Sequence, residues 1–466
     1  MVRTFHRTPR YSAVLSLAVA CWTGAAVVEA AERPAPDLPT GRKAYAQHCA
    51  RCHGDQGKGD GLDAKRFYPR PRDLSMGIYK FRSTASGTPP SDQDLFDTIT
   101  QGLPGSNMPD WQHLDAATRW QLVEYLKSLS PVFQQAQPAP VEIAADPGAK
   151  ANLAKGKELY VQLGCAACHG AAGRANGMSA AGLVDDWGMP IRPANLTQGW
   201  SYRGGHSPKA VMLRVLAGID GAGMPSYTGA VSPQDAWHLS YYVASLQQPP
   251  KWKYLVPVTT VHGELPGAAD DTRWALVERT DVRLRNAVTP EGEWAKPPTV
   301  RAVMVQAAAN QEELALRVSW DDPSREPADG AAAAGPSDAL AMVLKPAGQD
   351  GDVVTLQAWP YQGAPPLDMS LWSAAASAAS ESLATDFTGG RGTPLHNSAH
   401  YEDGRWTVTL RRTLMPQEPA GAGVIHPNGL TGIAFIVWDG GNPETRAVSP
   451  WIDLQLSQEQ KHAAHH

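Results

Sequence analysis

The chain has 466 residues, of which 42% are hydrophobic and 19% charged, and its formal net charge is −5 at pH 7. This composition is typical of globular packing, and the length fits about three domains. The sequence has no basic patch or arginine-rich segment, which argues against nucleic-acid binding. No apolar run beyond the N-terminus is long enough to cross a membrane.

The first 30 residues have the pattern of a cleaved secretory signal peptide. A positively charged start precedes an apolar stretch over 13–28, and Val28-Glu29-Ala30 supplies the small residues that a signal peptidase requires. A lipoprotein signal ending at Cys21 is the weaker alternative, because the residues before it lack the usual leucine. We therefore predict a signal peptide over 1–30 and a periplasmic mature chain.

Two copies of a haem-attachment signature dominate the rest of the sequence. Cys49-Ala50-Arg51-Cys52-His53 and Cys165-Ala166-Ala167-Cys168-His169 each offer two thiols for thioether bonds to haem and one histidine for the iron. Met108 follows the first histidine by 55 residues, Met224 follows the second by the same interval, and a proline follows each methionine. One copy alone could be a zinc or thiol redox motif, but two copies with matched methionines favour two covalently bound c haems.

The two motifs belong to an internal repeat with an offset of 116 residues. We predict one haem domain over 39–133, a second over 149–248, and a linker over 134–148 whose Pro and Gln content favours an extended spacer. Apolar residues recur at helical spacing before each motif and again near the end of each domain. Both domains are therefore expected to be all-α.

Both domains resemble class I c-type cytochromes over nearly their whole length. In that family the loop that carries Met-Pro folds over the open haem face and supplies the sixth iron ligand. The resemblance implies ligation by His53 and Met108 in the first domain and by His169 and Met224 in the second. Six-coordinate iron has no open position for substrate, so we expect no catalytic residues here.

Other side chains in these domains are further candidates for iron ligands or haem contacts. Five candidates do not recur at matched positions and are expected to be packing or surface residues: Met76, His113, Met178, Met189 and His206. Arg82 and Arg203 do recur. They are candidates for pairing with haem propionates, with ordinary surface arginines as the equal alternative.

Residues 255–456 have a different pattern. Short runs of β-branched and aromatic residues alternate with clusters of Gly, Pro, Asp and Asn. The predicted strands are 299–306, 314–320, 339–344, 353–359, 406–410 and 432–438. Many short strands at this spacing predict a β-sandwich or barrel. The expected fold class is multidomain, with two all-α class I cytochrome c domains followed by a mainly β sandwich domain.

Three segments of this third region, 316–323, 401–408 and 435–442, resemble the haem-binding subunit of ethylbenzene dehydrogenase. That family is a β-sandwich that holds a non-covalent b haem between methionine and lysine and serves periplasmic molybdenum enzymes. The resemblance implies Met369 as a ligand of a b haem; no lysine can be matched, and His396 or His400 could substitute. The alternative is that Met369 is a packing residue and that no b haem binds.

These patterns predict a periplasmic electron-transfer protein with two covalent c haems and, as an open question, one b haem. The expected partners are a periplasmic molybdopterin or iron–sulfur oxidoreductase and a downstream electron acceptor, with no nucleic acid and no transmembrane segment in the mature chain. Two alternatives remain. One is a dihaem oxidoreductase or peroxidase that acts on a small substrate, and the other is a redox-sensing binding module.

Overall fold

The computed structural model describes eleven parts of the chain: 33–67, 69–286, 300–326, 337–345, 356, 359, 366–384, 393–414, 425, 429–440 and 446–456. The predicted signal peptide and most of the predicted strand 353–359 lie outside these residues. Within them, two helical domains precede a β-rich domain, which confirms the predicted fold class. None of the helices in this part of the chain has the length and apolar character that a bilayer crossing requires.

The first helical domain is organised around two crossing helices, one at each end of its sequence. Its helices are α1 (Leu38–His48), α2 (Ala50–His53), α3 (Asp92–Gln101), α4 (Ala116–Ser128) and α5 (Val132–Gln135). Asp115 accepts a hydrogen bond from the Thr118 amide and caps α4, as its sequence position predicts. Gly41 lets α1 approach α4 closely, because a Cβ there would lie 2.2 Å from the Gln121 carbonyl oxygen.

The second helical domain repeats this arrangement. Its helices are α6 (Leu153–Gln162), α7 (Cys165–His169), α8 (Pro208–Ala217) and α9 (Pro233–Ser245). Gly156 corresponds to Gly41, since a Cβ there would lie 2.2 Å from the His238 carbonyl oxygen on α9. The shared glycine allows the same close helix crossing in both domains, and in each the attachment motif directly follows the first of the two crossing helices.

The segment between the two helical domains is extended and packs against both. The Ala85 amide donates to the Ala139 carbonyl, and the Val141 amide donates to the Ser83 carbonyl. The Trp237 indole of α9 donates to the Ala144 carbonyl at 2.8 Å. The segment therefore fastens the domains to each other instead of acting as a free spacer.

The third domain is a sheet whose strands pair in a closed ring. Its strands are β1 (Leu255–Thr260), β2 (Thr280–Arg283), β3 (Arg285–Asn286), β4 (Ala302–Ala309), β5 (Glu313–Asp321), β6 (Ala339–Leu344), β7 (Leu367–Ser373), β8 (Ala378–Ala384), β9 (Thr393–Glu402), β10 (Arg405–Thr413), β11 (Leu430–Trp438), β12 (Ala447–Val448) and β13 (Ile452–Leu456). The pairing runs β13-β1-β4-β5-β10-β9-β8-β7-β6-β11, and β11 pairs again with β13. The closed ring leaves few free sheet edges.

The interior of the ring is filled with apolar side chains. Three tryptophans, Trp320, Trp372 and Trp406, meet there with ring centroids 5.0 to 6.3 Å apart. A buried ion pair accompanies them on one side, where Arg412 of β10 donates to both carboxylate oxygens of Asp368 at 3.1 and 3.2 Å. Such bidentate pairing satisfies a charge that would otherwise oppose burial.

Four carboxylates of this domain lie unusually close together. Oxygens of Asp322, Glu326, Asp338 and Asp439 lie within 4.8 Å of one another. Burial and the neighbouring carboxylates raise the pKa of Asp322, and burial, the largest cause, raises the pKa of Asp338 to about 7. Between about pH 4 and pH 7, the folded domain therefore keeps protons on these carboxyl groups that the unfolded chain has already released.

Because the folded-state pKa values are raised, this domain should lose stability as the pH rises from about 4 to about 7. We expect Asp322→Asn, which removes one of the clustered ionisable carboxyl groups, to raise the melting temperature relative to the parent, and to do so more at pH 7.5 than at pH 5. Each kcal/mol corresponds to about 2–4 °C for a domain of this size.

The matched control for this prediction is Asp271→Asn. Asp271 is paired with Arg273, whose hydrogen bonds lower the pKa of Asp271 to about 2, so its titration ends below pH 5. Thermal melts at pH 5 and pH 7.5 should therefore show no pH-dependent difference for Asp271→Asn. A pH-independent effect of Asp322→Asn would contradict the account.

Candidate functional site

The first attachment motif lies where α1 passes into the short helix α2. The helix ends at His53, and Gly54 follows with a φ of +78°, a conformation that favours glycine. The Tyr45 hydroxyl donates to the Gly54 carbonyl at 2.8 Å and holds this turn. The His53 Nδ1–H donates to the Arg72 carbonyl at 3.0 Å, because a carbonyl can only accept.

The second motif is built in the same way. The Tyr160 hydroxyl donates to the Gly170 carbonyl at 2.7 Å, and the His169 Nδ1–H donates to the Ala194 carbonyl at 2.9 Å. In both sites the backbone acceptor fixes the tautomer and the plane of the imidazole ring. The free Nε2 of each ring is then a lone-pair donor, as an iron ligand must be.

Burial reinforces the neutral state of both rings. It lowers the pKa of His53 and of His169, and the backbone hydrogen bond opposes this effect in each case. A neutral imidazole is the form that binds a metal.

Each methionine that the sequence matched lies in a tight loop after a helix. The loop holding Met108 starts at Gly102, with a φ of +63°, and the Leu103 amide donates to the Met108 carbonyl at 3.0 Å. The loop holding Met224 starts at Gly218, with a φ of +70°, and the Ile219 amide donates to its carbonyl at the same distance.

Both motifs and both methionines open onto one continuous cavity of about 700 Å³. Its walls include the predicted ligands of the two sites: Cys49, Cys52, His53 and Met108 from the first domain, and Cys165, His169 and Met224 from the second. Cys168 lies on α7 next to His169. The structure thus brings the two sets of predicted residues to a single compartment between the helical domains.

The cavity wall also carries cations that the sequence did not single out. Lys80 and Arg72 line it together with Arg203. Burial, with Arg72 as the next cause, lowers the pKa of Lys80 to about 8, and burial lowers the pKa of Arg72 to about 10. The Arg72 guanidinium lies 3.9 Å from the ring centre of Trp187, in the other domain.

This wall suits a group that carries carboxylates. Haem has two propionates, and arginine and lysine bind carboxylates through charge-assisted hydrogen bonds. Paired thiols, a neutral imidazole, a thioether and a cationic wall together match the donor set of a covalently bound c haem. The residues present therefore fit the group.

Arg82 is neither a wall residue of the cavity nor a surface arginine, the two roles that its recurrence in the sequence had suggested. Its side chain is 1% exposed and forms an ion pair with Asp220 of the second domain at 2.7 Å. It also donates to the carbonyls of Tyr79 and Ala217, at 3.1 and 3.0 Å. Arg82 joins the two helical domains, whereas Arg203 lines the cavity.

We expect Arg82→Met to lower the free energy of unfolding by about 3 kcal/mol, since removing one partner of a buried ion pair leaves the other unpaired. Chemical denaturation of the full chain measures this. The matched control is Arg51→Met, because the Arg51 side chain is 71% exposed where it pairs with Asp63. That exposed pair should contribute little to stability, because solvent screens it, and equal losses in both variants would contradict the account.

Of the other ligand candidates, only Met189 lines the cavity among the described residues. Met76 and Met178 are 55% and 98% exposed. The His113 ring packs near Trp111, with ring centroids 5.4 Å apart. His206 presents its backbone carbonyl to the Gln247 amide. Met189 is therefore the alternative against which Met224 must be tested.

Met369 lies on β7, is fully buried, and packs in an apolar cluster that includes Val343 and Ile436. The two histidines considered as its partners are both exposed on β9, with 57% of the His400 side chain accessible. The structure does not bring these three residues to one site. A b haem at Met369 stays a prediction.

Comparison with known families covers the two helical domains. Residues 36–126 match the family described as cytochrome c oxidase, cbb3-type, subunit III. Residues 153–247 match the cytochrome c family. Both helical domains are cytochrome c domains. Cytochrome c domains carry covalently bound haem c, and the cysteine pairs Cys49/Cys52 and Cys165/Cys168 fit the CxxCH attachment motif.

Two curated relatives are subunits of cbb3-type cytochrome c oxidase. CcoP of Azospirillum sp. (strain B510) is 30% identical over 215 residues, which are 44% of this chain and 61% of the relative. FixP of Azorhizobium caulinodans is 28% identical over 215 residues, which are 44% of this chain and 58% of the relative. The chain thus spans about three fifths of the length of these relatives.

Parts of this chain are also similar to solved structures. One belongs to a reducing HAO-like protein complex of Kuenenia stuttgartiensis and is 40% identical, covering 47% of this chain and 100% of that chain with a TM-score of 0.44. A family 9 carbohydrate-binding module from Caldicellulosiruptor kristjanssonii is 10% identical, covering 45% of this chain and 100% of that chain with a TM-score of 0.29.

The sequence did not identify the residues that hold the two histidines or most of those that form the cationic wall of the cavity. Arg72 and Ala194 hold the two histidines through backbone carbonyls, so their side chains carried no signal. Lys80 and Trp187 belong to a wall that forms only when the two domains meet. The aligned prolines Pro71 and Pro193, just before the two acceptors, were the one available hint.

Proposed function

We propose that this protein carries electrons, one at a time, between redox partners through two c haems held in the shared cavity. The ligands would be His53 and Met108 in the first site and His169 and Met224 in the second. A haem c in each site supplies reversible one-electron exchange between ferric and ferrous iron. The observation that carries the proposal is that both motifs and both methionines line one cavity.

The protein's own residues account for the properties a carrier needs. Each histidine is held by a backbone carbonyl, so the ring cannot turn between oxidation states. The thioether of methionine favours ferrous iron and raises the reduction potential. Apolar side chains such as Leu122 and Val215 line the cavity and exclude water.

Ligation by both a histidine and a methionine would leave no position on the iron for substrate. This supports a carrier over an enzyme, and we assign no catalytic residue. The resemblance of the third domain supports a periplasmic molybdopterin oxidoreductase as one partner, with a downstream acceptor as the other. The signal-like pattern over 1–30 supports a periplasmic location.

Carbon monoxide tests the carrier against the dihaem enzyme. The full chain, produced in a host that attaches c haem, is reduced with dithionite and exposed to CO. A carrier with two occupied sixth positions should show less than about a tenth of the CO-binding signal of a five-coordinate haem per chain. Stoichiometric CO binding at one haem, together with turnover of hydrogen peroxide, would support the enzyme and overturn the carrier.

A further inference from the structure

The loop below each axial histidine differs between the two domains by one chemical group. In the first domain, Asp73 follows the carbonyl that accepts from His53. Its carboxylate accepts from the amide and the hydroxyl of Ser75, at 2.9 and 2.6 Å. This local turn needs only an accepting oxygen.

In the second domain Asn195 stands at the corresponding place, directly after Ala194. Its carbonyl oxygen accepts from the amide and the hydroxyl of Thr197, at 3.0 and 2.7 Å, so the turn is the same. Asparagine adds an NH₂ that aspartate lacks. That Nδ2 donates at 2.8 Å to Asp321 of the third domain.

Asp321 lies at the end of β5, is 7% exposed, and lines the haem cavity. Its Oδ1 accepts from the Arg405 guanidinium at 2.7 Å, which fixes it to β10. Its Oδ2 accepts from Asn195 and also from the Gln198 amide at 3.0 Å. Oδ1 therefore faces Arg405 of the β-domain and, at 3.7 Å, the Arg174 Nε of the second helical domain, whereas Oδ2 holds the histidine loop.

We propose that Asp321 is a positioning residue for the second haem site, holding the loop whose Ala194 carbonyl orients His169. This rests on the proposed function, since it requires His169 to be an iron ligand. The third domain then acts on one of two sites that have the same ligand types. In the first domain the corresponding Asp73 has no N–H to offer, and its turn closes locally.

The direction of the effect follows from two causes that act together. A firm hydrogen bond from Nδ1–H to a carbonyl makes the imidazole a stronger donor to iron. A nearby buried negative charge favours ferric over ferrous iron. Both lower the reduction potential of the second site, so loosening the link should raise it.

The experiment measures the midpoint potentials of both haems in the full chain, by spectroelectrochemical titration of three variants. Asp321→Asn replaces two accepting oxygens by one and removes the charge. Asn195→Ser removes the Nδ2 donor but keeps an oxygen for the Thr197 turn. Asp403→Asn is the control, because it removes an exposed acidic charge from the adjacent turn and leaves the hydrogen bond from Arg174 to the Asp403 backbone carbonyl in place.

Asp321→Asn should shift the ferric–ferrous equilibrium of the second haem about tenfold toward ferrous iron, which is about 59 mV for one electron. Asn195→Ser should shift it in the same direction by a smaller amount. The midpoint potential of the first haem should not change in either variant, and Asp403→Asn should change the midpoint potential of neither haem. Met224→His, which changes only the second site, assigns the two transitions.

If Asp321→Asn does not fold, Asn195→Ser still tests the proposal, because it removes the donor of the same hydrogen bond between Asn195 and Asp321. A shift in Asp321→Asn without one in Asn195→Ser would mean a direct charge effect and would overturn positioning. Equal shifts of both haems would also overturn it. Two covalent haems with an unmoved second potential refute this inference alone, whereas a chain without covalent haem refutes the proposed function as well.

Discussion

Replacing Met224 by alanine is expected to leave the second iron without its thioether, while the first site stays low-spin and six-coordinate. The spectrum of the ferric protein should gain one high-spin haem per chain, and the second midpoint potential should fall. The fall should be about a tenth or more of the ~0.8 V range that axial ligands span, because the lost thioether had favoured ferrous iron.

Met189→Ala is the matched control for this variant. Met189 lines the same cavity, but it has no counterpart in the first domain. Optical and magnetic spectra of both variants decide between the two methionines. If Met189→Ala gives the high-spin haem and Met224→Ala does not, the ligand assignment at the second site is wrong.

The second large effect concerns the cysteines. We expect Cys165→Ser/Cys168→Ser to halve the covalently bound haem, since serine cannot form the thioether bonds. Loss of the group also leaves a large part of the shared cavity unfilled. Because a cofactor that binds only the folded state stabilises it, the second domain should melt at a lower temperature than in the parent.

The corresponding variant of the first domain, Cys49→Ser/Cys52→Ser, serves as the mirror control. Each double variant should retain one covalent haem, as measured by intact-protein mass and haem staining after denaturation. Full retention of two haems in either variant would show that the missing cysteines are not the attachment points. Complete loss in both would show that the two domains mature only together.

The candidate haem sites could be predicted from the sequence because the residues that define them are side chains at fixed spacing. Cys49, Cys52 and His53 recur as a unit, and the interval to Met108 recurs with them. The structure brings both sets to one cavity. The sequence did not predict that the two sites share one cavity, because the sharing depends on contacts between the domains, such as that of Arg82 with Asp220.

The third domain was predicted where its strands carry a clear pattern. The strand predicted over 339–344 has the bounds of β6, and the strand predicted over 299–306 lies slightly further along as Ala302–Ala309. The strand Leu367–Ser373 was not predicted, because Asp368 interrupts its apolar run. Only the pairing of Asp368 with Arg412, 44 residues away, makes that interruption compatible with a buried strand.

The measurement that tests the central claim most directly is the haem content of the full chain produced in a maturation-competent host. We predict two c haems per chain by the pyridine haemochrome spectrum, retained after acid–acetone extraction, with a low-spin ferric spectrum at both. An extractable b haem in addition would support the prediction at Met369. Absence of the α-band of c haem after reduction, or high-spin five-coordinate iron at both sites, would contradict the account.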